Sequence, residues 1–258
     1  MIGDHDAIST GNAARLAARS IADGGTPSAM WTAWDRRFPP LEVEACPGLV
    51  LVAPHPDDET LGLGATAALL SARGVDVQVV SVTDGGAAYP ALDTECRSTL
   101  EKIRRAELRR ATRLLGLAEP ICLALPDGEI TDHEELLASE LAAIISRFPT
   151  GTWCAATWRG DGHPDHEAAG RAAAVAARRT ETLFVEYPVW MWHWATPTDP
   201  AVPWHRARTV PLTSAAMTAK QQAAQCFHSQ LNSTADGPAV LPPFVLQRLM
   251  TVGEVVFA

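Results

Sequence analysis

The chain has 258 residues, enough for one large domain or two small ones, and enough to bury a core without disulfides or a structural metal. Hydrophobic residues make up 47% and charged residues 20%, which excludes a disordered chain. The formal charge of −9 argues against nucleic-acid partners and anionic membranes, because both need a basic face.

Residues 1–45 differ in texture from the rest of the chain. The opening segment holds acids and no apolar stretch, so no secretory signal is expected. Residues 13–21 are Ala/Arg-rich and amphipathic, and Trp31, Trp34 and the Pro39-Pro40 break come next. These features predict an N-terminal extension packed on a single domain of residues 46–258. No apolar run approaches the ~20 residues that span a bilayer, so no membrane insertion is expected. The five cysteines (46, 96, 122, 154 and 226) never stand in CxxC spacing, and read as reduced, mostly buried thiols of a cytoplasmic protein.

From residue 49 the pattern is regular. Residues 49–53 are an uninterrupted apolar run, as in a strand buried on both faces. A helix is predicted over 60–73, stopped by Gly74, then a strand over 76–82 and a helix over 97–115, stopped by Gly116. Strands at 121–125, 153–157 and 183–186 alternate with helices at 133–148 and 166–179. Residues 188–211 read as a long aromatic connection with four of the eight tryptophans, before a helix over 213–229 and a strand over 252–257. This alternation predicts an α/β fold, a Rossmann-like three-layer sandwich with a mainly parallel sheet.

Two motifs come directly after predicted strands. The first is Pro54-His55-Pro56-Asp57-Asp58-Glu59, in which imidazole and carboxylate donors suit a divalent cation and three adjacent acids call for one. Read alone, it serves equally as an acidic helix cap. The second is Gly160-Asp161-Gly162-His163-Pro164-Asp165-His166, where two histidines three apart share one helix side. One histidine from this turn with His55 and Asp58 makes a three-ligand set with a fourth position for water, the catalytic arrangement. Gly62 and Gly64 do not form a dinucleotide fingerprint, because no third glycine stands at the right spacing.

Together the two motifs resemble those of the metal-dependent N-acetylglucosamine deacetylase family, the LmbE-like or PIG-L-like proteins, and the likeness runs over 49–257. The resemblance implies that His55, Asp58 and His166 hold one Zn²⁺ per chain, with Fe²⁺ or Co²⁺ suited to the same donors. It implies Asp57 as general base toward a metal-activated water, and His163 as the group that stabilises or protonates the tetrahedral intermediate. Asp165 would orient a histidine from behind.

In the helix over 97–115, Leu100, Ile103, Leu108, Ala111, Leu114 and Leu115 share one arc, and Arg104 and Glu107 fall inside it. Charges facing inward are costly unless paired. Two readings stay open, a mutual i, i+3 ion pair that reaches to the domain edge, or Arg104 in the pocket as a substrate-binding group held by Glu107, and the family's Arg-x-x-Glu implies the second. Trp192 and His193 are further candidates for substrate contact, the ring as a platform for a sugar face. The loop 83–86 is expected at the pocket rim, and Pro126-Asp127-Gly128 reads first as a turn.

The expected function is hydrolysis of an N-acetyl or other N-acyl group from an amino sugar or glycoside, its small-molecule partner. Three alternatives stay open: an amidase acting on a larger sugar–thiol conjugate, a metal-dependent phosphoesterase, and a non-catalytic metal- or sugar-binding module.

Overall fold

The computed structural model describes residues 11–234 and 237–258, so the expectation for the first ten residues lies outside the described residues. A helical stretch over 11–17 and helix α1 (Ser28–Ala33) precede the sheet. Strands β1 (Gly48–Ala53), β2 (Asp76–Thr83), β3 (Ile121–Leu125), β4 (Trp153–Thr157) and β5 (Phe184–Tyr187) then alternate with helices. These helices are α2 (Asp58–Ala72), α3 (Thr94–Leu114), α4 (Glu134–Ile145) and α5 (Pro164–Arg179). The chain closes with α6 (Met191–Trp194), β6 (Ala207–Thr209), α7 (Ser214–Ala224), α8 (His228–Leu231), α9 (Pro243–Thr251) and β7 (Val255–Phe257).

The seven strands form one sheet of order β3-β2-β1-β4-β5-β7-β6. The first five are parallel, and β7 runs antiparallel between β5 and β6. Every residue of β1 is buried, which is why its sequence shows no polar alternation. Leu49, Leu51, Val77 and Val79 face a core shared with α2, α3 and α7, whereas Val50, Val52, Val80 and Val82 face one shared with α4 and α5. The sheet is thus covered on both sides, as expected. Among the described residues no helix is long and apolar enough to cross a membrane, and no disulfide joins the cysteines.

Several boundaries differ from the sequence expectation. The 188–211 connection contains α6 and β6, and the helix expected over 213–229 is two helices, α7 and α8. The final strand begins at Val255, not 252, because Val252 caps α9, a helix whose Pro243 at the first turn is a legible start signal. On α3, Ile103 and Leu114 are exposed, so the buried arc is narrower than predicted.

Helix α2 is broken at Leu63 (φ −132°, ψ 22°). Ala65 and Thr66 donate their N–H groups to Glu254 at 2.8 and 2.7 Å, so the second half of α2 is capped by a carboxylate from the far end of the chain. Lys220 on α7 pairs with the same carboxylate at 2.8 Å, and both side chains are fully buried. Removing one partner of a buried pair costs roughly 3–5 kcal/mol. Glu254→Ala is therefore expected to lower the melting temperature by roughly 10 °C. A calorimetric shift within a degree of the wild type would contradict this role for the pair.

Candidate active site

Strand order runs outward in opposite directions from the adjacent pair β1 and β4, and ligands of open parallel sheets bind in the crevice beyond such a switch point. Residues 54–58 leave β1 there and residues 158–166 leave β4. Asp57 adopts φ 139° and ψ −31°, a conformation that costs a non-glycine residue on the order of 1–3 kcal/mol. Its N–H donates to Glu59 Oε2 at 3.0 Å, and its carboxylate meets Arg104 Nη2 at 3.2 Å.

Asp58 opens α2, where the helix dipole favours a carboxylate. Its Oδ2 lies 3.2 Å from both His55 Nδ1 and His166 Nε2. His166 Nδ1 lies 2.8 Å from Asp161 Oδ2. Asp161 is itself fully buried and accepts the N–H groups of Val189, Trp190 and Met191 at 3.0, 2.9 and 2.9 Å. A carboxylate with that many donors is an acceptor toward His166, so the imidazole proton sits on Nδ1. Nε2 is then a bare lone pair facing the Asp58 oxygen, and among the described residues it makes no hydrogen bond.

Two lone pairs in contact repel unless a proton or a metal ion lies between them. Burial opposes charge on His166, but Asp58 and Asp161 push its pKa up to about 9. Burial likewise opposes charge on Asp58, and His166 with His55 holds it well below the usual carboxylate range. The ligand atoms of His55, Asp58 and His166 all lie within 4.8 Å of one another. Donors ~2.1 Å from a tetrahedral metal stand roughly 3.4 Å apart, so only small adjustments are needed. Two imidazoles and a carboxylate suit a borderline divalent cation. The residues present fit a metal.

On its other side, His55 Nε2 is 3.0 Å from Asp127 Oδ1 and 3.3 Å from Asp165 Oδ2. These two carboxylates fix the Nε2 proton and leave Nδ1 as the donor atom turned to Asp58. Asp165 is anchored in turn by the N–H groups of Gly128 (2.8 Å) and Ile130 (3.3 Å). His55, His163 and Asp165 form a second, overlapping grouping of possible ligands. His163 caps α5, and its Nδ1 accepts the Asp165 N–H at 3.3 Å, which places the imidazole proton on Nε2. Burial, with His166 and His55 nearby, holds the His163 pKa down to about 3, so the ring is a neutral donor rather than a cation.

Arg104 reaches in from α3 and also donates to Gly85 O (2.9 Å) and Pro56 O (3.0 Å). A Cβ at residue 85 would fall 2.0 Å from Arg104 Nη1, and the backbone there has φ +68°, so this approach requires glycine. Burial raises Asp57 to about 7, with Asp58 adding to the rise and Arg104 opposing it. Between these groups lies a cavity of ≈ 190 Å³ whose lining includes Asp57, Arg104, Asp127, His163, Trp190 and Gln230.

Residues 50–177, from within β1 to within α5, match the family described as PIG-L, GlcNAc-PI de-N-acetylase. The chain carries a PIG-L family domain. A 1D-myo-inositol 2-acetamido-2-deoxy-alpha-D-glucopyranoside deacetylase of Mycobacterium sp. (strain KMS) is 32% identical over 173 residues, 55% of this chain and 54% of that protein. A probable N-acetyl-alpha-D-glucosaminyl L-malate deacetylase 2 of Bacillus cereus is 31% identical over 134 residues, 51% of this chain and 61% of that protein. The chain thus spans a little over half the length of these curated relatives. The solved N,N'-diacetylchitobiose deacetylase of Pyrococcus horikoshii shares the fold with a TM-score of 0.59 at 23% identity, over 73% of this chain and 72% of that one.

Both histidine motifs lie inside the PIG-L match, whereas the aromatic connection lies beyond it. Two residues expected to contact substrate are placed elsewhere. Trp192 is buried edge-on against Trp31 at 4.9 Å, in an aromatic cluster where the N-terminal segment docks. His193 is buried beside Arg248 (3.1 Å) and the Arg19 carbonyl (3.2 Å). On the short helix α6 these side chains pack away from the cavity, and it is Trp190, just before α6, that lines it. Glu107 does not hold Arg104 either. It accepts the Ser229 N–H (2.9 Å) and hydroxyl (2.6 Å).

Nothing in the sequence singles out Asp161, and Asp127 reads there as a turn residue. Asp161 sits one glycine ahead of the His-Pro-Asp-His run, and that proximity was its only signal. Asp127 comes just after β3, whose end also faces the crevice, and the position of its strand was the cue.

Proposed function

We propose that this chain hydrolyses an N-acyl group, acetyl in the first instance, from an amino sugar or glycoside, using one divalent cation. The observation that carries this reading is the buried His166 Nε2 lone pair turned on Asp58 and His55, next to the Asp57–Arg104 pair. His55, Asp58 and His166 would hold Zn²⁺, Fe²⁺ or Co²⁺. When bound, such an ion polarises the amide carbonyl and makes a water acidic enough to attack near neutral pH.

The chain's own groups do the rest. Asp57 takes a proton from the attacking water, and its burial, which favours the protonated form, suits it to that task. Arg104 holds Asp57 Oδ2 in place. His163 Nε2–H donates to the oxygen that gains negative charge as the carbonyl carbon becomes tetrahedral. Asp57 then returns its proton to the leaving nitrogen as the C–N bond breaks, releasing acetate and a free amine. Asp127 and Asp165 keep His55 in one tautomer throughout. Reduced cysteines suit a cytoplasmic location for this activity.

The test is a panel of N-acetylated glycosides incubated with metal-loaded and chelated protein, with free amine detected by mass spectrometry. Amine release is expected, to be abolished by chelation and restored by one equivalent of Zn²⁺, Fe²⁺ or Co²⁺ per chain. Activity confined to phosphate esters, full activity after chelation, or binding without turnover would each replace this reading.

A further inference from the structure

We propose that the helical stretch over 11–17 is a positioning element of the metal site. Asn12 directly, and Arg15 through Trp194, hold the two peptide planes that flank Asp161, and these aim His166 at the cation. This rests on the deacetylase reading, in which His166 is a ligand. Residues 11–17 and Trp194 all lie outside the PIG-L match.

Residues 158–163, between β4 and α5, are neither strand nor helix, so no backbone ladder fixes the direction of Asp161. Four hydrogen bonds do so instead. In the plane before Asp161, its N–H donates to the Trp158 carbonyl at 3.0 Å, and the Gly160 carbonyl accepts from Asn12 Nδ2 at 2.9 Å. In the plane after it, the Gly162 N–H donates to Glu167 Oε1 at 3.0 Å, and the Asp161 carbonyl accepts from Trp194 Nε1 at 2.7 Å. Each plane is pinned at both ends, and each carbonyl is pinned from outside the matched stretch. A carboxylate moves with its backbone, so loosening either plane swings the group that holds His166 Nδ1 at 2.8 Å.

Asn12 is 2% exposed, and its bond to Gly160 joins positions 148 apart in the chain. Arg15 places its guanidinium 4.5 Å from the centre of the Trp194 ring and pairs with the buried Asp199, Nη1 to Oδ1 at 3.0 Å. Trp158 stacks on the same indole at 6.4 Å. A Cβ at residue 162 would lie 2.9 Å from Trp194 Nε1, 3.0 Å from the Asn12 carbonyl and 3.1 Å from Leu16 Cβ, and φ there is +92°. Only glycine lets the helical stretch and the indole close so tightly on the turn. A segment that merely covered the aromatic cluster around Trp31 would need none of these contacts.

The experiment is a double-mutant cycle in the full chain, read by Zn²⁺ competition with a chromophoric chelator. Asn12→Leu keeps a side chain of similar size and removes the donor. It should weaken Zn²⁺ binding by about tenfold, the lower end of the range for a partner behind a ligand. In an Asp161→Asn background the same change should cost less than about twofold, because the group through which Asn12 acts is already impaired. A purely structural role gives the same loss in both backgrounds. Arg19→Ala cuts the contact from Arg19 Nη1 to Thr26, on the same segment but away from the turn, and should leave the affinity within about twofold of wild type. Hydrogen exchange of the metal-free protein is the second readout. The Val189, Trp190 and Met191 amides, which donate to Asp161, should exchange faster in Asn12→Leu than in Arg19→Ala or wild type. Equal losses in both backgrounds, unchanged affinity or exchange in Asn12→Leu, or an equal loss from Arg19→Ala overturns the positioning role and leaves the deacetylase reading standing. Absence of Zn²⁺ binding by the wild type overturns the metal reading itself, and this inference with it.

Discussion

Asp57→Asn is expected to lower deacetylation by about 10²–10⁴-fold, the usual range for a lost general base. Metal content should stay at one per chain, because Asp57 is not among the residues grouped as ligands. Asp57→Gly separates chemistry from conformation. Glycine accepts φ 139° without strain, and the change also removes a buried carboxylate beside Asp58. This variant should be as inactive as Asp57→Asn and more stable than Asp57→Ala, which loses the same buried pair with Arg104 but keeps the backbone strain, by roughly 1 kcal/mol. Chemical denaturation and single-turnover amine release are the paired measurements. An active glycine variant would remove Asp57 from the mechanism, and one no more stable than Asp57→Ala would refute the strain.

Asp161→Asn should weaken metal binding by about 10–100-fold, the range found when the partner behind a ligating histidine is lost. An asparagine cannot accept at both oxygens. Its amide would face either the Trp190 N–H and His166, or the Val189 and Met191 N–H groups. In the first arrangement His166 accepts at Nδ1 and carries its proton on Nε2, where the cation should bind. In the second, two buried backbone donors lose their acceptor, at about 1–3 kcal/mol each. Competition with a chromophoric chelator reads the affinity, and thermal unfolding reads the backbone cost. Wild-type values in both would show that Asp161 neither sets the tautomer nor secures the loop.

The sheet was legible because each central strand is buried on both faces, and 49–53 and 153–157 therefore read as plain apolar runs. The two histidine motifs were legible for a different reason: they are contiguous, and each comes directly after a strand. What failed depended on distant partners. Trp192 and His193 carry good substrate-contact chemistry, but their fate is decided by Trp31, Arg19 and Arg248 in segments far along the chain. Glu107 shares a helix face with Arg104, yet the α8 segment brings Ser229 to it. Gly62 and Gly64 flank the break in α2 and mark it locally, but nothing nearby shows that Glu254 stands ready to receive the released N–H groups.

Strands β1 and β4 touch side by side, although His55 and His166 stand roughly 110 residues apart. Closing so long a loop comes late and costs entropy, so no fragment made early in folding can present all three donors. A cation captured there has nothing comparable to hold in the unfolded chain, and its binding energy adds in full to the native state. Metal supply would then govern how much of this protein survives in a cell as well as how fast it turns over.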